Sequence, residues 1–523
     1  MKQAIDVHKV FAGYFKGVEA LAYAVSKNLA EGSICLDVES FRNSVISNDI
    51  TWQENPFMKE NPPVNDMLAE GRFVTHDETE TKPFVVFNGK VYLHRYFTYE
   101  TQIIENIVRL GNNFKIITGG PGTGKTYSVA QNLIKLLSGN IELKIGMAAP
   151  TGKAAGRMNE AIRKFASDDR NIIDPSVREK LVSLNAQTIH RLLGYVPVSV
   201  FFRYDKKKPL PFDVIIIDEA SMIDGALMAK LLSAIGGDTL FYLIGDKDQL
   251  ASIEAGSVFG DICRAGNSSA LLQEKIKLLE KNYRAESADI IEFSKQIISG
   301  EISDAYYLNT KDAVTIDTEY KTDLFVGQVE LYEDYIREPD PLIALKLLNR
   351  LRVLCVTREH DHSVDEANER IAGILKQKIN DAELFSPKSG FYHNQPIIIT
   401  KNDYTLNLSN GDVGLIRKEA VTGLMKAYFE DQDGKLKEYH AGYLNYFETV
   451  FAMTIHKSQG SEFDHVVVQL PEKQARKLLT RELLYTAVTR ARKKVVLQGT
   501  AEVLSHCIEN RVMRASGLTE RIK

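Results

Sequence analysis

Cysteine is scarce in this chain. The four cysteines, Cys35, Cys263, Cys355 and Cys507, are far apart and form no Cys-x-x-Cys pair. Such spacing argues against a disulfide framework and against zinc, and it fits a reducing cytosol. A surplus of one charge is also lacking, since 65 Lys and Arg stand against 69 Asp and Glu for a net charge of -4. No global field attracts nucleic acid, so any such binding falls to local patches or to a channel between domains. Long apolar runs are missing too. The one apolar-leaning stretch near the start is interrupted by Lys16 and Glu19, so neither a signal peptide nor a membrane span is expected. Internal repeats and low-complexity tracts are absent. What remains is ordinary globular composition, 44% hydrophobic and 26% charged over 523 residues, enough for about three or four domains with sizeable cores.

Residues 119–126 are the most informative stretch. Gly119-Gly120-Pro121-Gly122-Thr123-Gly124-Lys125-Thr126 completes a phosphate-binding loop, preceded by the apolar run Phe114–Thr118 and followed by a helical stretch from Tyr127. Glycines let the backbone N–H groups and a helix N-terminus face one anion. Lys125 is placed to reach the β- and γ-phosphates, and the Thr126 hydroxyl to ligand Mg²⁺. A nucleoside triphosphate, ATP with Mg²⁺, is the expected cofactor. About 90 residues further on, the apolar strand Val214–Ile217 ends in Asp218-Glu219-Ala220-Ser221. Asp218 can hold the metal through water, and Glu219 can polarise an attacking water. The run Leu243-Ile244-Gly245-Asp246-Lys247-Asp248-Gln249 then offers the Gln249 amide, which can donate to the γ-phosphate.

The order of elements predicts an α/β protein. From about 96 to 284, strands at Lys115–Thr118, Lys144–Ala148, Val214–Ile217 and Leu240–Ile244 alternate with helices, the pattern of a parallel sheet covered on both faces. A second alternating block occupies 285–405 and 451–523, with strands near Val353–Val356, His465–Gln469 and Lys494–Leu497. Between its parts, 406–450 is rich in β-formers and turns such as Asn410-Gly411 and Asp433-Gly434, which predicts a small inserted β-barrel. Residues 1–95 carry no catalytic pattern. They read as a small, mostly helical domain, with helical spacing over Val10–Ala30 and a closing strand pair near Phe84–Leu93. Tyr195–Phe212 suggests a β-hairpin with a basic tip at Arg203 and Lys206-Lys207-Lys208.

Further stretches fall into the same series: Ala149–Lys153, Lys281-Asn282-Tyr283-Arg284, Met453–Phe463 and Leu484–Arg492. Together they resemble the motor motifs of superfamily 1 DNA helicases. Thr188–Gly194, Asp218–Asp224, and Thr400-Lys401-Asn402-Asp403-Tyr404 with Asn410-Gly411-Asp412 narrow the resemblance to the RecD subunits of exodeoxyribonuclease V, in superfamily 1B. The resemblance implies a P-loop NTPase with two RecA-like motor domains, the inserted barrel being SH3-like. It assigns Gln102 to the adenine edge, Arg284 and Arg490 to the γ-phosphate from across a cleft, Glu462 to the ribose and Gly460 to close backbone approach. Tyr127 joins the nucleotide-contacting set. It places Pro150, Thr151, Lys153, Thr188, His190, Thr454, His456 and Ser458 on single-stranded DNA, and makes 195–212 a pin that splits the duplex.

The resemblance implies an ATP-dependent 5′-to-3′ helicase acting in double-strand break repair and recombination. It would act on single strands and duplex ends, beside RecB-like and RecC-like subunits that dock on residues 1–95. The chain shows no nuclease carboxylate cluster. Two other classes fit the motifs: a DNA-stimulated ATPase that translocates without unwinding, and a regulatory subunit whose ATP state gates a partner nuclease-helicase.

Overall fold

The computed structural model describes residues 5–47, 53–57, 64–252, 254–281, 287–379, 390–403, 405–419, 421–431 and 434–522. Asn282, Tyr283, Arg284, Tyr404 and Asp433 lie outside the described residues.

Two parallel sheets form the frame. The first has the order β10-β5-β9-β8-β6-β7, built from β5 (Phe114–Gly119), β6 (Ile145–Ala149), β7 (Gln187–Thr188), β8 (Val214–Ile217), β9 (Leu240–Gly245) and β10 (Ile276–Leu279). Every pairing in it is parallel. Strands buried on both faces need continuous apolar runs, and Val214-Ile215-Ile216-Ile217 is fully buried along its length. The second sheet has the order β11-β20-β19-β12-β18, from β11 (Val314–Asp317), β12 (Leu351–Cys355), β18 (Ala452–Thr454), β19 (Phe463–Gln469) and β20 (Ala491–Gln498). It too is wholly parallel. The strands expected from sequence are all present, each within three residues at its ends.

A five-stranded antiparallel sheet is inserted in the second block, in the order β16-β15-β14-β13-β17. Its strands are β13 (Gln395–Ile399), β14 (Val413–Lys418), β15 (Met425–Glu430), β16 (Leu436–His440) and β17 (Phe447–Thr449). It thus begins before residue 406, because Pro396-Ile397-Ile398 pairs with Val413–Leu415 as an antiparallel partner. The edge strands β16 and β17 are not paired with each other.

The N-terminal region holds more sheet than expected. β1 (Cys35–Asp37), β4 (Lys90–Leu93), β3 (Phe84–Phe87) and β2 (Val74–Thr75) form a four-stranded sheet in that order. The expected helix over 10–30 is two helices, Val7–Ala12 and Glu19–Ala30. Gly17, at φ 93°, turns the chain between them in a conformation that side chains resist.

The C-terminal residues leave the second sheet and return to the first. Leu518 and Ile522 share one apolar core with Ile34, Val85, Ile103 and Val258. Glu100, fully buried on the helix His94–Leu110, anchors this return by accepting from Ser516 Oγ at 3.0 Å, the Gly517 N–H at 2.9 Å and Arg521 at 3.3 Å. A carboxylate buried this deeply needs such donors. Among the described residues no helix is long and apolar enough to cross a membrane, and all four cysteines are buried and free.

Candidate nucleotide site and nucleic-acid face

The phosphate loop forms because its glycines take backbone angles that other residues avoid. Gly122 and Gly124 sit at φ 78° and 79°, and Gly124 caps the helix Lys125–Gly139. A Cβ on Gly119 would lie 2.5 Å from the Leu279 carbonyl, so no side chain fits there. Lys125 Nζ donates to the Gly119 and Gly120 carbonyls at 2.7 and 3.0 Å, which holds the ammonium under the loop. At the end of β8, Asp218 Oδ1 accepts from the Glu219 N–H at 2.8 Å. Glu219 takes a left-handed φ of 53°, a strained turn of the kind that marks functional sites.

A cleft of about 590 Å³ opens over the loop. One wall is Gly119, Gly120, Pro121, Gly122 and Thr123 with Lys247 and Asp248; the other includes Glu462, Tyr485, Thr489 and Arg492 from the second block. Gln249 is 7% exposed and stands behind Asp248, its Nε2 donating to Asp246 Oδ2 at 3.1 Å. Arg490, flanked by the wall residues Thr489 and Ala491, is 3% exposed. Its guanidinium donates to the Thr486 and Ser461 carbonyls at 3.1 and 3.2 Å, which ties it to its own half of the molecule. Glu462 meets Arg492 at 3.2 Å and Arg157 at 3.6 Å. Gln102 and Tyr127 do not line this cleft. Gln102 stands on the helix His94–Leu110, and the Tyr127 ring packs edge-on against Phe165.

Magnesium keeps several waters and phosphate oxygens and takes few protein ligands. The Thr126 hydroxyl and the Asp218 carboxylate are donors of the right chemistry for it, the first on the helix behind the loop and the second at the end of β8. Two buried hydroxyls in the motifs, Ser221 Oγ and Ser461 Oγ, have no hydrogen-bond partner among the described residues. Orphaned polar atoms of this kind are costly and suit a site completed by a ligand.

Two family models match parts of the chain. The AAA domain model matches residues 102–255, and the UvrD-like helicase C-terminal domain model matches 449–498. The RecBCD enzyme subunit RecD of Mycolicibacterium smegmatis is 32% identical over 96% of this chain and 93% of its own length. The subunit of that name from Mycobacterium tuberculosis is 34% identical over 96% of this chain and 91% of its length. The ATP-dependent RecD2 DNA helicase of Deinococcus radiodurans is 30% identical over 79% of this chain and 51% of its own.

The chain belongs to the RecD family. It is an ATP-hydrolysing DNA helicase of the RecD type.

In this RecD-type chain Thr151, one of the residues expected on DNA, stands where the halves meet. A Cβ on Gly460, assigned by the resemblance to the nucleotide, would lie 3.7 Å from Ala154 Cβ and 4.0 Å from Thr151 Oγ1, and one on Gly152 would lie 3.3 Å from Ser409 Oγ in the inserted segment. Thr151, next to Pro150, caps the helix Gly152–Ser167, and Thr188 caps Ile189–Leu192. Both hydroxyls accept backbone N–H groups, which leaves each free to donate. Desolvation lowers Lys153 to about 7, with Arg157 and Arg352 repelling its charge and Asp412 acting against them. Burial lowers His456, with Arg514 adding to the effect, and it lowers His190, whose ring meets Phe202. Thr454 Oγ1 accepts from the Lys457 N–H at 3.3 Å. Ser458 is fully buried and donates to the Ile455 carbonyl at 2.7 Å, so its hydroxyl serves the loop itself.

The segment 195–212 departs from the expected hairpin. It has a single antiparallel bridge, Tyr195 with Phe202, and no ladder. Its exposed tip is apolar, with Val198 fully exposed and Phe201 76% exposed. Lys206, Lys207 and Lys208 are exposed on a separate turn, in which Asp205 Oδ1 accepts from the Lys207 and Lys208 N–H groups. Asp246, Gln459, Tyr485 and Thr486 lie within the motif stretches but carry no role from the sequence; for Tyr485 and Thr486 the signal is a polar side chain inside the apolar run Leu483–Val488.

Proposed function

We propose that this chain is the RecD-like α subunit of an exodeoxyribonuclease V-type complex, moving 5′ to 3′ on single-stranded DNA during double-strand break repair and recombination. The observation that carries the reading is the cleft in which the phosphate loop faces Tyr485, Thr489 and Arg492 of the other half. ATP with Mg²⁺ supplies the scissile phosphoryl bond when bound. Lys125 would then exchange the Gly119 and Gly120 carbonyls for phosphate oxygens, and Thr126 and Asp218 would hold the metal. Glu219 takes the proton of the attacking water, and Gln249 donates to the γ-phosphate. Arg490 and Arg284 turn toward the γ-phosphate as the halves close, and Glu462 orients the ribose.

The parallel sheets are the two RecA-like motors, and the antiparallel sheet is a small SH3-like barrel. Thr151, Lys153, Thr188, His190, Thr454 and His456, with Pro150 and Ser458 shaping the backbone, grip the strand through phosphate contacts that carry no sequence information. Residues 1–95 offer the RecB-like and RecC-like partners an exposed apolar face that includes Val7, Val10 and Tyr14. A cytoplasmic location follows from this role.

The test is ATP hydrolysis and strand separation on 5′-tailed, 3′-tailed and blunt duplexes, with and without the RecB-like and RecC-like proteins. Preference for a 5′ tail supports the reading. Equal unwinding from 3′ tails overturns the polarity, and equal co-purification of the partners by a chain starting near Arg95 moves the docking site elsewhere.

A further inference from the structure

Asp246 is 1% exposed, and its carboxylate is held from both sides of the cleft. Oδ1 accepts from the Asp248 N–H at 3.0 Å. Oδ2 accepts from Gln249 Nε2 at 3.1 Å, within its own half, and from the Tyr485 hydroxyl at 3.0 Å, from the other. Tyr485 is 6% exposed on the helix Arg481–Val488. Its hydroxyl also lies against the phosphate loop, since a Cβ on Gly120 would stand 3.0 Å from it. Burial favours the neutral form of Asp246, and the nearby Lys125 ammonium opposes that shift.

Oδ2 of Asp246 accepts from both Gln249 Nε2 and the Tyr485 hydroxyl, so the amide nitrogen of Gln249 faces Asp246 and its carbonyl oxygen faces away. Among the described residues Tyr485 is the one donor to Asp246 from the second half, so the orientation of Gln249 depends on a residue carried by that half.

We propose that Tyr485 is a positioning residue for hydrolysis: by donating to Asp246 it fixes the Gln249 amide only while the two halves are closed. The inference rests on the role assigned above to Gln249. Tyr485 touches no reacting atom in this scheme. It transmits closure of the cleft to the group that meets the γ-phosphate.

The experiment is steady-state ATP hydrolysis, stimulated by single-stranded DNA, for Tyr485→Phe, Asp246→Asn and the double variant. Phenylalanine keeps the ring and removes only the hydroxyl. Its kcat should fall ~10-fold or more, the scale of a lost hydrogen bond to a charged group, while KM for ATP stays within about twofold because the phosphate loop is untouched. The double variant should be about as slow as the slower single one, since both break one chain of contacts. Wild-type kcat in Tyr485→Phe, or single effects that multiply in the double variant, overturns the proposal. Should Tyr485→Phe fail to fold, Asp246→Asn decides alone: a lower kcat at unchanged KM supports the proposal and an unchanged kcat defeats it. Failure of the role given to Gln249 is distinct, because Gln249→Ala would then keep the wild-type kcat.

Discussion

The backbone N–H of Leu250 donates to the Thr486 hydroxyl at 2.9 Å, joining residues 236 positions apart. Gln459 Nε2 donates to the Leu250 carbonyl at 2.9 Å, so both backbone groups of Leu250 are satisfied by the opposite half. Thr486 in turn gives its own carbonyl to Arg490. The loop after β9 and the helix that leads into the candidate arginine finger are therefore fastened at one buried point.

Thr486→Val should expose that dependence. Valine matches the shape but leaves a buried N–H without an acceptor, a cost of about 1–3 kcal/mol. Hydrogen exchange at the Leu250 amide should accelerate ~10-fold or more, with ATP turnover reduced alongside. Unchanged protection at Leu250 would show that the two halves are held together by other contacts.

Lys125→Ala should abolish ATP hydrolysis while leaving single-strand affinity largely intact. The ammonium lies under the phosphate loop, at hydrogen-bond distance from the Gly119 and Gly120 carbonyls and on the cleft side of the molecule. Turnover and DNA binding measured on one preparation check both halves of this expectation. Near-normal turnover would contradict the assignment of the cleft.

Arg490→Ala should lower turnover by ~10³-fold or more, as loss of an arginine finger does, with ATP affinity changed much less. The same substitution removes the donor to the Thr486 and Ser461 carbonyls, so some thermal stability should be lost as well. Collapsed affinity with normal turnover at saturation would make Arg490 a binding residue.

Lys153 predicts a pH dependence of DNA binding. With its pKa lowered from 10.5 to about 7, the free protein loses this charge as pH rises through neutrality. A phosphate beside Lys153 favours the charged form, so binding takes up a proton between about pH 7 and the ordinary lysine value. Affinity should therefore weaken as pH rises through that window. Lys153→Arg, whose charge does not titrate there, should flatten the profile of Kd against pH. A profile that is identical in the variant would remove Lys153 from the strand path.

Replacing the exposed tip 196–201 by a short Gly-Ser turn should reduce unwinding of a tailed duplex and spare DNA-stimulated hydrolysis. The tip carries Val198 and Phe201 into solvent, whereas Leu210 at the base is buried and must be kept. Normal unwinding by the shortened chain would return the segment to a surface loop.

Much of the frame is legible in the sequence. The strand Val214–Ile217 is readable to the residue because four β-branched side chains in a row fit only a strand buried on both faces. Gln187–Thr188 is not, because a two-residue strand has no period to detect. The N-terminal sheet is hidden for a related reason: Cys35–Asp37 becomes a strand by pairing with Lys90–Leu93, about fifty residues away. Lys206–Lys208 form an exposed turn of their own, apart from the apolar tip at Val198 and Phe201, because the Asp205 carboxylate captures two backbone N–H groups there.

The sequence by itself determined the phosphate loop, the acidic end of β8 and the two alternating blocks. Each of these is specified by neighbours along the chain, through glycine conformations, strand patterning and residue spacing. Only the tertiary structure decided that Tyr485 holds Asp246, that Thr486 holds Leu250, and that Leu518 and Ile522 return to the first core. Those contacts join residues more than 200 positions apart. Hydrogen bonds and apolar packing at that separation leave no local period in the sequence, because either partner alone is compatible with many environments.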